Sequence, residues 1–146
     1  MNTEHTFILH IVSEVDFRSH ISNGQYEPES LKTEGFIHCT SGKTVLLAVA
    51  EDYYAGVKDR LLVLKIDLPK ITNEVRFESP SEISGGGQSH TMLASDFPHI
   101  YGKLNLSAIV GIGVLDRNED RFIWPKTFDS PNIYFKWSNG NFTNDF

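Results

Sequence analysis

The segment FILHIVSE, residues Phe7–Glu14, is apolar on both faces of an extended chain. Because successive side chains of a strand point to opposite faces, this pattern is typical of a strand that is covered on both sides. We therefore expect it to be the first and central strand of the fold. His10 interrupts the apolar run, and an imidazole in such a position must be desolvated and hydrogen-bonded.

Two further segments place a histidine among apolar and aromatic residues. GFIHCTS at Gly35–Ser41 contains His38, and FPHIYGKLNL at Phe97–Leu106 contains His99. A single histidine in a strand is more often a satisfied core residue than part of a site. Three of them in one small domain favour a shared pocket that holds polar chemistry away from water.

The rest of the chain predicts alternating helices and strands. The Ser-x-x-Asp arrangement at Ser13 predicts a short helix that runs to about Ser22, and helical spacing of apolar residues predicts a longer one over Lys43–Tyr54. One helical turn is predicted over 28–33, and strands are predicted over 60–67, 73–79 and 108–115. We expect the first two of these strands to lie side by side and the third to pair with the FIWP segment at 122–125. The Ser- and Gly-rich stretch from Ser79 to Ser95 predicts a long loop, and long loops in compact domains are often functional lids.

Length and composition are those of one globular domain. The chain has 146 residues, is 40% hydrophobic and carries a formal net charge of -6, which disfavours binding to duplex DNA or to an anionic membrane. Cys39 is the only cysteine, so an intramolecular disulfide is excluded, and no apolar run approaches the roughly 20 residues of a membrane span. The N-terminal MNTEHTF lacks the features of a signal peptide. A cytoplasmic location is the resulting expectation.

Several segments, taken in order, resemble the domain-of-unknown-function family 952 from Phe7 to about Pro125. They are LHIVS, SLKTEGFIHCTS, AVAEDYYAG, LLVLKID, EVRFES and FPHIYGKLNLSAIV. Members of that family are similar in fold to ADP-ribosyltransferases and NAD-dependent RNA 2′-phosphotransferases, which form a cleft around NAD. The resemblance implies an α+β domain over residues 1–125, with an ADP-ribosyltransferase-like, curved, mostly antiparallel split sheet and two or three helices. Residues 126–146 are then a C-terminal extension, irregular or packed on the domain.

The same resemblance implies roles for individual residues. It places His10 at the nicotinamide-side ribose of NAD and His38 against the nicotinamide or its ribose. A neutral imidazole can donate from one nitrogen and accept at the other, which suits the two hydroxyls of a ribose. The catalytic candidates are His10, His38, His99 and Glu78, and the candidates for binding NAD are His10, His38, Thr40, Ser41 and Tyr101. Glu78 is the carboxylate chosen to stabilise the positive charge that develops on the ribose, with Glu34 and Asp96 behind it. Protein-modifying transferases of the superfamily usually carry Glu at the third motif, where this chain has FPHIYG.

These observations leave three functions open. The first is an ADP-ribosyltransferase-like protein that binds NAD or a related small nucleotide and transfers or hydrolyses its ADP-ribose; the sequence does not identify the acceptor. The second is a non-catalytic module that binds a small metabolite in the same pocket. The third is a zinc-dependent hydrolase, since three histidines can hold zinc and leave a position for water. No metal is expected, because His38 and Cys39 are neighbours on a predicted strand and point to opposite faces.

Overall fold

The computed structural model describes residues 7–78, 96–119, 121–129, 137–138 and 141–142. The loop predicted over Ser79–Ser95 lies outside these residues. The described chain is α+β, with three α-helices, and every described strand pair is antiparallel. The predicted fold class is confirmed. None of the described helices is long and apolar enough to cross a membrane.

The helices are α1 (Glu14–Ser19), α2 (Ser30–Thr33) and α3 (Lys43–Tyr53). The strands are β1 (Phe7–Ser13), β2 (Ile21–Ser22), β3 (Gln25–Tyr26), β4 (Ile37–His38), β5 (Leu61–Asp67), β6 (Glu74–Phe77), β7 (Pro98–Tyr101), β8 (Leu104–Asn105), β9 (Ile109–Val114), β10 (Asp116–Asn118), β11 (Arg121–Ile123), β12 (Trp137–Ser138) and β13 (Asn141–Phe142). Short 3-10 helices cover Leu68–Lys70, Leu106–Ala108 and Lys126–Asp129.

Strand β1 is covered on both faces, as its sequence predicts, but it is not the central strand. The sheet order is β1-β5-β9, so β5 occupies the middle. Within the described residues, the outer edge of β1 is paired at one point, where Leu9 and Thr40 exchange two backbone hydrogen bonds of 2.8 Å. An apolar strand therefore indicates that both faces are covered, whereas its place in the sheet depends on long-range pairing.

Three other sequence predictions need correction. Strands β5 and β6 do not lie side by side, because the 3-10 turn containing Pro69 leads the chain into a second sheet of order β4-β7-β6. Strand β11 pairs with β10 and not with β9. Helix α1 begins after the Ser13 cap, whose hydroxyl accepts from the Asp16 N–H at 3.1 Å, but it ends at Ser19. Residues 21–22 instead form β2, which pairs with β3 in a hairpin.

The sheet of β1, β5 and β9 separates two apolar clusters. Alternate residues of β1 and β5 point to opposite faces, so Ile8 and Leu64 join one cluster while Leu9 and Val63 join the other. The second cluster is closed by α3, whose Leu46 and Ala50 are fully buried. Phe128, in the C-terminal segment after residue 125, also packs against this cluster. The sheet thereby forms a rigid support for the residues at its β1 edge.

Candidate functional site

A cleft of about 980 Å³ opens beside the edge of β1. Its walls come from β1, α1, β3, the start of α2, residues 38–40 and the end of α3. The described residues that line it are Leu9, His10, Ile11, Val12, Ser13, Asp16, His20, Tyr26, Pro28, Glu29, Ser30, Glu34, His38, Cys39, Thr40, Val49, Tyr53, Tyr54, Val57, Asp59, Leu61 and Phe97. A space of this volume is in the range that holds a nucleotide-sized ligand.

His10 lies in the wall of the cleft with both ring nitrogens bonded to the protein. Its Nδ1–H donates to the backbone carbonyl of His38 at 2.6 Å, and its Nε2 accepts from the Tyr26 hydroxyl at 2.7 Å. Only 8% of the residue is exposed. Burial lowers the pKa of His10 from 6.5 to about 4, although the hydrogen bond to the His38 carbonyl acts to raise it. The imidazole is therefore neutral at physiological pH.

Tyr26 is held between the core and the cleft. It lines the cleft but is almost completely buried, and its ring contacts those of Phe17 and His10 at centroid distances of 5.3 and 5.4 Å. Burial raises the pKa of its phenol well above the ordinary value, so the hydroxyl stays protonated and donates a hydrogen bond to His10. The phenolic oxygen still has lone pairs with which to accept a hydrogen bond from a ligand.

Thr40 provides a buried polar group without a partner. The residue is 6% exposed and lines the cleft, and its Oγ1 forms no hydrogen bond within the part of the chain that the structure describes. Its backbone is fixed by the paired hydrogen bonds to Leu9. A buried hydroxyl left unsatisfied costs about 1–3 kcal/mol, and a ligand that bonded to it would recover that energy.

His38 connects the cleft to a second group of polar and aromatic side chains. Its Nε2–H donates to Glu34 Oε1 at 3.0 Å, and both residues line the cleft. Half of the His38 side chain, 52%, is exposed. The other side of the ring contacts Phe36 and His99, at centroid distances of 4.7 and 5.4 Å.

The second group lies on the sheet of β4, β7 and β6, where His38 is directly opposite His99. Phe36 stacks on His99 with ring centroids 4.1 Å apart, and its ring is 5.4 Å from that of Tyr101. Glu78 Oε1 accepts hydrogen bonds from His99 Nδ1 at 2.8 Å and from the Tyr101 hydroxyl at 2.5 Å. The hydrogen bond from Tyr101 has the largest effect in lowering the pKa of Glu78, and the bond from His99 acts in the same direction. The bond to this carboxylate in turn raises the pKa of Tyr101.

The predicted site residues thus form two adjoining groups and one outlier. His10, His38 and Thr40 line the cleft. His99, Tyr101 and Glu78 form the second group, which meets the cleft at His38. Ser41 does not line the cleft, and its backbone N–H donates to the Asp96 carbonyl at 2.9 Å. The sequence predicts that His10, His38, His99 and Tyr101 line one cleft. His10 and His38 do so, whereas His99 and Tyr101 do not, because β7 places them on the neighbouring sheet.

Sequence reasoning did not find Tyr26, Phe36 or most of the acidic wall. Tyr26 lies in a two-residue strand, too short to show a period. Four carboxylate residues line the cleft, and the described lining contains neither Lys nor Arg: they are Asp16, Glu29, Glu34 and Asp59. These carboxylates are scattered along the chain, so no local motif indicates that they meet. A lining with carboxylates and without Lys or Arg favours cationic over anionic ligands.

A metal cluster is not found among the described residues, where no three His, Cys, Asp or Glu side chains are grouped to hold an ion. Cys39, in the cleft wall, is 2% exposed, and burial raises the pKa of its thiol far above the ordinary value. It therefore remains a neutral thiol and a poor nucleophile.

Comparison with known proteins supports the family and the fold. The profile of a family described as "Protein of unknown function (DUF952)" matches residues 11–112. The crystal structure of protein CC0527 from Caulobacter crescentus is similar to this chain, with a TM-score of 0.63 and 23% identity over 85% of this chain and 96% of that one. A double mutant of CC0527 gives the same values, and its solution NMR structure gives a TM-score of 0.58 and 22% identity over 84% and 94% of the two chains. No curated protein matches with significance.

Proposed function

The chain belongs to the family of unknown function DUF952, and from its cleft we propose that it binds NAD with the nicotinamide ribose innermost and transfers or hydrolyses the ADP-ribose. The observation that carries the proposal is the composition of the cleft: neutral, buried hydrogen-bonding groups at its wall and carboxylates around them. The neutral groups match the hydroxyls of the ribose, and the carboxylates match the positively charged nicotinamide ring attached to it.

The neutral groups suit the hydroxyls of a ribose. The Tyr26 oxygen can accept from a sugar hydroxyl while its own proton is donated to His10. The Thr40 hydroxyl can donate and accept, and it has no partner among the described residues. Since the low pKa of His10 keeps this wall uncharged, these groups favour an uncharged, hydroxyl-bearing ligand group over an ion.

The carboxylates suit the positively charged nicotinamide ring of NAD. At about 7 Å, one carboxylate attracts a unit positive charge by roughly 0.6 kcal/mol in water and by about 2 kcal/mol at an effective dielectric constant of 20. Four such residues line the cleft, and no described lining residue is Lys or Arg. The same field repels the NAD diphosphate, so the phosphates lie towards the opening and the nicotinamide ribose lies within.

The arrangement also favours cleavage of the bond between nicotinamide and ribose. As this bond breaks, positive charge moves from the ring to the ribose carbon, and preoriented negative groups stabilise that charge. Asp16, which lines the cleft, is the carboxylate that we assign to this role. Glu78, the first choice from the sequence, lies in the second group and holds His99 and Tyr101 instead.

The proposal is tested by calorimetric titration of the protein with NAD together with an assay for nicotinamide release. We expect saturable binding and release, both reduced in His10→Ala and His38→Ala. Glu27→Gln, which removes an exposed carboxylate that pairs with Lys103 outside the cleft, is the control and should behave as wild type. Binding without release would support a non-catalytic metabolite-binding module, a reading favoured by the fact that both nitrogens of His10 are already bonded. Absence of binding would refute both.

A further inference from the structure

Two carboxylate–imidazole pairs flank the ring of Phe36. In one, His38 donates to Glu34, and in the other, His99 donates to Glu78. A carboxylate bonded to one nitrogen of an imidazole fixes the tautomer and leaves the other nitrogen as a base. The two pairs therefore have the same chemistry but different surroundings.

Only the Glu34–His38 pair faces the cleft. His99 is 7% exposed and is not among the residues that line the cleft, whereas His38 and Glu34 both line it and both are about half exposed. A ligand in the cleft can therefore reach His38 directly. His99 lies behind this residue, with its ring centroid 5.4 Å from that of His38.

The His38 ring is held in place with Nδ1 free to act. Its Nε2–H donates a hydrogen bond to Glu34, so Nδ1 carries the lone pair. No described residue forms a hydrogen bond to Nδ1. Phe36 and His99 contact the ring. The backbone of His38 is anchored by the short hydrogen bond that its carbonyl accepts from His10.

We infer, on the basis of the proposed function, that His38 is the general base of the reaction, that Glu34 is its positioning residue, and that the nucleophile is an uncharged hydroxyl, either water or an alcohol. The acidic walls disfavour a phosphate or carboxylate nucleophile, because a second anion would enter a negative field. A hydroxyl compound has a proton to lose and needs a base to remove it.

The atoms and electrons of this step balance. The bond between ribose C1′ and the nicotinamide nitrogen breaks, and its electron pair stays on the nitrogen, which becomes neutral. The nucleophile oxygen forms a bond to C1′, and its proton passes to His38 Nδ1. Glu34 stabilises the resulting imidazolium, which then releases the proton to solvent. Water gives ADP-ribose, and an alcohol gives its O-linked ADP-ribose.

The ionisable side chains near His38 come from four elements. They are Glu34 after α2, His10 on β1, His99 on β7, and Glu78 beyond His99 at the end of β6. Among these, Glu34 alone bonds to the His38 ring within the described chain. Its replacement is therefore the most specific change to the base.

Glu34→Gln tests the inference, with Glu27→Gln as the matched carboxylate control. The amide can still accept from Nε2–H but carries no charge. We expect the Kd for NAD to rise by about 3- to 30-fold, since one carboxylate charge is lost from the cleft. We expect kcat for nicotinamide release to fall by about 10- to 100-fold, and the acidic limb of the kcat–pH profile to move to lower pH. A merely structural role would alter stability or KM but would not move this limb. Addition of methanol should give O-methyl ADP-ribose beside ADP-ribose.

The outcomes separate the two proposals. If wild type binds NAD and releases nicotinamide while Glu34→Gln leaves kcat and its pH profile unchanged, the role of Glu34 is refuted and the proposed function stands. If inorganic phosphate, and neither water nor methanol, captures the ADP-ribose, the assigned nucleophile class is wrong. If wild type binds NAD without release, no base is needed and this inference is refuted along with the transfer reaction. If wild type does not bind NAD, the proposed function itself is refuted.

Discussion

Because of His10, the free energy of unfolding should fall as the pH is lowered from 6.5 to about 4. The pKa of His10 is about 4 in the folded protein and 6.5 in the unfolded chain, because burial disfavours the charged imidazole. Above pH 6.5 neither state takes up the proton, so the full stability is present. Between pH 6.5 and about 4 only the unfolded state is protonated, and unfolding becomes easier by about 1.4 kcal/mol for each pH unit. The total loss is about 3 kcal/mol and levels off below pH 4.

The measurement is urea denaturation followed by far-UV circular dichroism at pH values from 7.5 to about 3.5. His10→Gln removes the titrating group while its amide can still donate to the His38 carbonyl. We expect this variant to be less stable than wild type at pH 7 but to lose about 3 kcal/mol less on acidification. If His10→Gln and wild type lost the same free energy over this window, the buried neutral state of His10 would be wrong.

Three further predictions concern contacts around the cleft and the sheet. Tyr26→Phe should destabilise the protein by about 1–3 kcal/mol in urea denaturation, because buried His10 Nε2 loses its donor; a loss below about 0.3 kcal/mol would contradict the bond. Cys39, buried and with a raised pKa, should react with a thiol reagent at pH 8 only as fast as the protein unfolds, and rapid labelling of the native protein would contradict its burial. Gly113→Ala should cost about 1–3 kcal/mol, because the new Cβ would lie 2.6 Å from Pro125 Cβ, whereas Gly111→Ala makes a nearest contact of 3.4 Å with Phe128 and should cost clearly less; equal losses would refute this packing.

The sequence predicts where the helices and strands lie in the chain better than it predicts which strands pair in a sheet. The apolar segment at 7–14, the Ser13 cap and the helical spacing over 43–54 are local signals, and each corresponds to an element of the structure. The pairing of β5 with β1 and β9, and of β6 with β7, joins residues far apart in the chain. Strand pairing of this kind depends on how the apolar faces meet and leaves no local signature.

The candidate site divides in the same way. His10 and His38 stand out because a polar ring interrupts an apolar strand, and the structure brings both to one cleft. Glu78 meets His99 because β6 and β7 are paired with Arg76 opposite His99, and that register is not visible in the sequence. Tyr26 and the cleft carboxylates lie in short or exposed segments, where their residue types have many ordinary roles. Their importance emerges only when the chain is folded.

Binding of the cationic nicotinamide ring of NAD in the acidic cleft can be measured by comparing the affinities of NAD+ and NADH by calorimetry at low and high salt. The two ligands share the ADP-ribose part and differ in the charge of the nicotinamide ring. We expect NAD+ to bind at least about tenfold more tightly than NADH at low salt, a difference of about 1.4 kcal/mol, and added salt to reduce this preference. Equal affinities, or tighter binding of NADH, would contradict it.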